Sequence, residues 1–93
     1  MAEEIKIVFE LDNKRSVAVD GDKEIGMCQY YVRDGKWDIY HTEVNPEYGG
    51  RGIAKNLVNK IVEAARENSV KIIPTCSYAV KMLEGKEEYK DVL

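Results

Sequence analysis

From Val44 to Ala54 the chain reads Val44-Asn45-Pro46-Glu47-Tyr48-Gly49-Gly50-Arg51-Gly52-Ile53-Ala54, with three glycines in four positions. Glycines at the entry to a helix leave backbone N–H groups uncovered, and the helix terminus adds partial positive charge. Such a turn suits a phosphate or pyrophosphate. Arg51 and Lys55 supply side-chain charge beside it. The spacing is neither the G-x-x-x-x-G-K-S/T loop of nucleotide hydrolases nor the G-x-G-x-x-G dinucleotide turn. The plainer reading is a flexible glycine loop leading into a helix.

Three further residues are of types that can do chemistry. Cys76 follows Pro74-Thr75 where a helix is expected to begin, and a helix dipole favours the thiolate there. A thiolate in that place could attack a thioester; the alternative is a small buried hydrophobe, the ordinary fate of a free cysteine. His41 and Glu43, two apart in a strand, share one face and could both point toward an incoming amine. Histidine has the near-neutral pKa a general base needs, and glutamate reaches it only when desolvated; a structural strand histidine is the other reading. Cys28, mid-strand, is expected in the core. Tyr30, Tyr31, Trp37 and Tyr40 read as sheet-face packing, and Lys81, Lys86 and Lys90 with Glu84, Glu87 and Glu88 as a solvated surface.

The elements that must position these residues follow from periodicity. Ile5, Ile7, Phe9 and Leu11 alternate with Lys6, Val8 and Glu10, the period of a strand with one well-buried face. Asp12-Asn13-Lys14 is a turn, Arg15–Asp20 a second strand, and Asp20-Gly21-Asp22 a second turn. Glu24–Arg33 and Lys36–Val44, joined by the hairpin signal Asp34-Gly35, complete a four-strand meander. Ile53, Leu57, Ile61 and Ala65, widened by Ala54, Val58 and Val62, predict a helix from about Gly50 to Asn68. Val70 to Ile73 reads as a buried central strand, parallel to the fourth because the helix is a crossover. A second helix opens at Thr75 or Cys76, buries Tyr78, Ala79, Met82 and Leu83, and closes near Gly85. Tyr89, Val92 and Leu93 form a last apolar clamp.

The 93 residues make one domain, 1–93, and the 44% hydrophobic and 33% charged composition is globular rather than disordered. No apolar run approaches the roughly 18 residues a membrane span requires, and the acidic start, Met1 to Lys6, is unlike a signal peptide. We therefore expect a cytoplasmic protein with no membrane partner, a monomer or weak dimer. Fourteen basic against 17 acidic residues leave a net charge of −3, which offers no field for a nucleic-acid backbone. Cys28 and Cys76 stand too far apart in sequence for a zinc motif or a disulfide framework, so both are expected as reduced thiols with no metal.

The strand, the Val-x-Pro-Glu-Tyr segment and the glycine turn resemble the acetyl-CoA motif of the GNAT acetyltransferases, whose signature is Q/R-x-x-G-x-G/A. Gly49 stands in the Q/R slot, Gly52 is the central glycine and Ala54 the last position. His41-Thr42-Glu43-Val44 and Pro74-Thr75-Cys76-Ser77-Tyr78 extend the resemblance to a short acetyltransferase-like branch, over most of the chain. It implies a minimal α/β (α+β) fold, mostly antiparallel with one parallel pair, splayed where the glycine turn begins. It also implies coenzyme A held by the backbone of Glu43 and Val44 and by Gly49, Gly50, Arg51, Gly52, Ile53, Ala54 and Lys55. The expected activity is transfer of acetyl from acetyl-CoA to an amine of unknown identity. Three departures stand beside it. Gly49 removes the usual long polar side chain, and only Asp12-Asn13-Lys14 stands where larger members place acceptor-shaping helices. In the last helix, Cys76 occupies the slot of an Asn and Leu83 that of the Tyr which protonates the departing thiolate. A CoA or acyl-CoA binding module without turnover is the runner-up, and a protein-interaction domain with a merely structural glycine turn the third reading.

Overall fold

The computed structural model describes residues 5–93; the acids at the extreme N-terminus, Glu3 and Glu4, lie outside the described residues. Four strands, β1 (Ile5–Glu10), β2 (Arg15–Asp20), β3 (Lys23–Arg33) and β4 (Lys36–Val44), form the expected antiparallel meander. A single 3₁₀ turn, Pro46–Tyr48, leads to helix α1 (Ile53–Glu67). Strand β5 (Ile72–Pro74), helix α2 (Ser77–Leu83) and a 3₁₀ segment, Glu87–Val92, follow. The sheet order is β1-β2-β3-β4-β5, and only β4 and β5 are parallel.

Alternation decides which face is covered. Phe9, Ser16, Cys28 and Thr42 sit opposite one another in successive strands and therefore share a face. Against that face lies α1, whose Leu57, Val58, Ile61, Val62 and Ala65 are buried in one cluster with Ala18, Tyr30, Trp37 and Ile39. The Ser16 hydroxyl, fully buried, donates to the Leu57 carbonyl at 2.8 Å, so the polar group under the helix is satisfied. Phe9, Tyr30 and Trp37 stack, the last two with ring centroids 4.4 Å apart. On the far face Tyr31 and Tyr40 pair with centroids 5.4 Å apart and stay exposed.

Several expectations need correction. The fifth strand is not central. It contains Ile72–Pro74 rather than Val70 to Ile73, and among the described residues no strand pairs with its outer edge. The apolar run suggested burial on both sides, but only Ile72 is fully buried, while Ile73 and Pro74 are half-covered. Leu11 is exposed in the first turn, past the last paired residue of β1. Helix α1 begins at Ile53, because Gly50 and Gly52 take the left-handed conformation. Tyr78 and Leu93 are exposed; Ala79 and Leu83 are the fully buried anchors of α2, Met82 is partly buried against the same core, and Tyr89 and Val92 form the terminal clamp.

Cys28 is fully enclosed, and burial pushes its thiol up to about 12. A group whose pKa is higher in the folded than in the unfolded chain stabilises the fold below its unfolded value. That contribution is lost as pH rises from 9.0 toward about 12. Urea unfolding between about pH 9 and about pH 11 is expected to lose stability with a slope of up to about 1.4 kcal/mol per pH unit from this group. Cys28→Ala should be shallower by that amount; an unchanged slope would show that Cys28 is not held neutral by the fold.

Candidate functional site

The parallel pairing of β4 and β5 is short. Trp37, Asp38 and Ile39 match Ile72, Ile73 and Pro74, and the ladder stops there. The Ile39 carbonyl then accepts from both the Thr75 and the Cys76 amide, each at 3.0 Å. Beyond it β4 runs on to Val44 paired with β3 alone. At the same place the β3–β4 register shifts, so that Tyr40 is an extra residue between the pairs Tyr30–Ile39 and Gln29–His41. The two strands thus part with the β5-side edge of residues 40–44 unpaired by any strand. An extended ligand backbone could hydrogen-bond along that edge.

At the foot of this opening stands the glycine turn. Asn45 Oδ1 accepts from the Glu47 amide at 2.9 Å, and Gly49 N donates to the Pro46 carbonyl at 3.1 Å, which closes the 3₁₀ turn. Gly50 and Gly52 have φ of 77° and 74°, the region where a Cβ is costly. Gly52 is the N-cap of α1 and has no side chain to satisfy the first-turn amides, and no acid sits in that turn. Among the described residues, the fifteen-residue helix therefore presents a positive terminus that no side chain caps. A cavity of about 230 Å³ opens there, lined by Val44, Tyr48, Gly49, Gly50, Gly52, Ile53, Ala54 and Tyr78. Six of these are sequence candidates; Tyr48 and Tyr78 are additions that sequence reasoning missed. Arg51 and Lys55 are exposed at the rim, with the Arg51 guanidinium 5.3 Å from the Tyr48 ring centroid. Tyr48 itself is anchored by its hydroxyl, which donates to Asp20. Glu43 lines a separate cleft of about 400 Å³ with Glu24, Met27 and Asn45.

Cys76 is the N-cap of α2, its sulfur accepting from the Ala79 amide at 3.3 Å. The Thr42 hydroxyl lies 3.5 Å from the same sulfur. His41 and Glu43 fall on the opposite face of β4 from Thr42, with Nε2 and Oε1 2.7 Å apart and both side chains largely exposed. The structure thus brings Thr42 and Cys76 together, and His41 and Glu43 together, on two sides of one strand. Near the parting of the strands, Asp38 is buried with Oδ2 accepting from Arg33 Nε at 2.9 Å. Burial raises its pKa, and hydrogen bonds from Thr75, Arg33 and Tyr31 outweigh that and hold it below the ordinary carboxylate value. Its Oδ1 meets no donor in good hydrogen-bond geometry, so the Thr75 and Tyr31 contributions are looser than the Arg33 bond. Among the described residues no cluster of His, Cys, Asp or Glu is placed to hold a metal.

A meander, a crossover helix rising from a glycine turn, and a parallel pair that parts above it make up a mixed α/β fold, and comparison with known proteins assigns its family. The family described as GCN5-related N-acetyl-transferase matches residues 14–92, and the chain belongs to that family. Protein NATD1 of Mus musculus is 36% identical over 82 residues, 84% of this chain and 74% of the relative, and the Homo sapiens protein 34% identical over 84% and 73%. A GCN5-like protein from Staphylococcus aureus superposes with a TM-score of 0.69 at 38% identity, covering 99% of this chain and 89% of its own. A GNAT family acetyltransferase from Elizabethkingia anophelis, solved with acetyl-CoA bound, shares the fold at TM-score 0.58 and 19% identity, over 64% of this chain and 40% of that one.

Since a Cβ at position 52 would meet open space, the cost of Gly52→Ala is the backbone conformation alone. Denaturant unfolding is expected to show a loss of about 1–2 kcal/mol. Wild-type stability in the variant would mean that α1 does not need the left-handed cap.

Proposed function

We propose that this chain is an acetyl-CoA-dependent N-acetyltransferase. The observation that carries the reading is the uncapped N-terminus of α1, with its left-handed Gly52, directly below the free edge of β4. A pyrophosphate fits first-turn amides that no side chain caps among the described residues, with Arg51 and Lys55 adding charge at the rim. The pantetheine arm runs up the edge at Glu43 and Val44 and delivers the thioester toward Cys76. The bound acetyl-CoA of the Elizabethkingia anophelis relative supports the same class of ligand. A working thiol at Cys76 also favours a reducing compartment, in keeping with a cytoplasmic protein.

Chemistry at Cys76 proceeds in two transfers. The sulfur attacks the thioester carbonyl, the bond from the acetyl carbon to the CoA sulfur breaks, and the proton lost by Cys76 ends on CoA as the free thiol. An amine then attacks the acetyl-Cys76 carbonyl, an amide forms, and Cys76 leaves and regains a proton. His41, hydrogen-bonded to Glu43 on the opposite face of β4 from Cys76, takes the proton from an amine that enters over the open sheet face and reaches the acetyl carbon through the gap where β4 and β5 part. The first transfer exchanges one thioester for another, so no phenol is required to drive it. That matters because Leu83, in the slot where a tyrosine would protonate CoA, is fully buried in the core. The same burial favours the second reading, a CoA-binding module without turnover.

Binding and turnover are separable. CoA should raise the melting temperature through its preference for the folded state. Gly50→Val should abolish the shift, and Arg51→Glu should weaken it more at low salt than at high. No shift in the wild-type protein would sink the transferase reading. Intact mass after acetyl-CoA should show an acetyl adduct on wild type and Cys28→Ala and none on Cys76→Ala, and a panel of amines should release free CoA thiol. Binding with neither adduct nor thiol release would establish the module instead. His41→Ala should lower turnover at least tenfold with CoA binding intact.

A further inference from the structure

Three groups meet on the helix-covered face of the sheet. Thr42 Oγ1 donates to Cys28 Sγ at 3.3 Å and lies 3.5 Å from Cys76 Sγ, so one hydroxyl bridges both cysteine sulfurs of the chain. Cys28 and Thr42 are directly opposed across β3 and β4, which fixes that half of the bridge by register. The other half is fixed by the Ile39 carbonyl, which holds the Cys76 amide, and by the Ala79 amide, which donates to the Cys76 sulfur. A hydroxyl has one proton to give and lone pairs to accept with, so it can serve only one of the two sulfurs as donor at a time.

We propose that Thr42 is the positioning residue for Cys76: its hydroxyl donates to Cys28 while Cys76 is a thiol, and turns to donate to Cys76 when that sulfur becomes the attacking thiolate. In the resting arrangement the Cys76 S–H points at Thr42 Oγ1. When Cys76 gives up its proton, rotation of one C–O bond brings the Thr42 O–H onto the thiolate, and the Cys28 S–H replaces it by donating to Oγ1. Burial keeps Cys28 protonated to about 12, so it retains a proton to donate throughout the neutral range. Cys28 is also the titratable group whose charge couples to Cys76, and as a neutral thiol it exerts no repulsion on the thiolate. The Thr42 hydroxyl and the Ala79 amide then meet the thiolate from two sides, which aims its remaining lone pair and steadies its charge. Rotation transfers no atom between residues; the acetyl transfer remains that of Cys76 and acetyl-CoA. The inference rests on the covalent reading of Cys76 for its purpose, and its geometry is independent of it.

The test is the rate at which iodoacetamide alkylates Cys76 at fixed pH, with the site assigned by peptide mass. Thr42→Val has nearly the same shape and suits a strand, so the fold should hold, and an unchanged melting temperature without ligand checks that it does. Alkylation of Cys76 should slow roughly tenfold in Thr42→Val, the loss of one hydrogen bond to a charged sulfur, and Thr42→Ser should restore it to within about twofold. Acetyl-adduct formation should follow the same order. Wild-type alkylation in Thr42→Val, or a Thr42→Ser variant as slow as Thr42→Val, overturns the proposal. If wild type takes no acetyl from acetyl-CoA, the covalent reading falls, and the alkylation series still decides the role of Thr42.

Discussion

The carbonyl of Ile39 accepts two amides, and the functional half of the molecule is arranged around that one oxygen. It takes Thr75 N and Cys76 N at equal distance, which ends the parallel ladder after three residue pairs and bends the chain into α2. Had the ladder continued, the β5-side edge of residues 40–44 would be occupied, and no extended ligand could pair there. The same contact sets Cys76 at the N-cap of α2 rather than in the strand, within reach of a hydroxyl on β4. The extra residue Tyr40 in β4 falls at this level too, so both neighbours of β4 change their relation to it at one point. Parting of the strands and placement of the thiol are thus one event.

The rest of the fold makes that event stable with few elements. One helix covers the sheet, and the polar group it buries, Ser16, bonds the helix backbone directly. The opposite face carries no helix among the described residues, and polar side-chain contacts run across it. Arg15 binds Glu10 and Glu24, Arg33 binds Asp38, and His41 meets Glu43. The exposed pairs among these contribute little stability each, whereas the Arg33 bond satisfies a carboxylate that is out of water. The larger effect of the exposed pairs is to leave the far face polar and accessible around Tyr31 and Tyr40.

Much of this was legible in the sequence because local chemistry decided it. The meander followed from alternation and from Asp34-Gly35, whose φ of 55° and 75° are those of a tight hairpin. The glycine turn, α1 and the Cys76 cap followed from residue types at helix termini. Pairings between strands were not legible, since they depend on register. Nothing local to Thr42 announces that it faces Cys28 or that Cys76, more than thirty residues on, arrives beside it. Tyr48 and Tyr78 were missed at the cavity for the same reason, as side chains brought to the turn from a 3₁₀ turn and from α2. The edge position of β5 escaped because Val70, Ile72 and Ile73 read as one apolar run although Lys71, which is exposed, interrupts it.

Gly49 shows how far the backbone has taken over work that side chains do elsewhere. Its φ of −64° is open to any residue, so glycine is not required there by conformation. A Cβ at that position, however, would lie 3.3 Å from the Pro46 carbonyl, the atom that Gly49 N itself bonds to close the 3₁₀ turn. The turn is wound tightly enough that a side chain would press on its own closing bond. That tight turn in turn seats the buried Tyr48, whose hydroxyl reaches Asp20 and whose ring lies near Arg51. A looser turn with a long polar residue at position 49 would gain one contact to an anion and disturb this anchor. With glycine there, the turn keeps its anchor, and under the proposed function recognition of an anion would fall to the first-turn amides of α1, whose direction the helix axis already fixes.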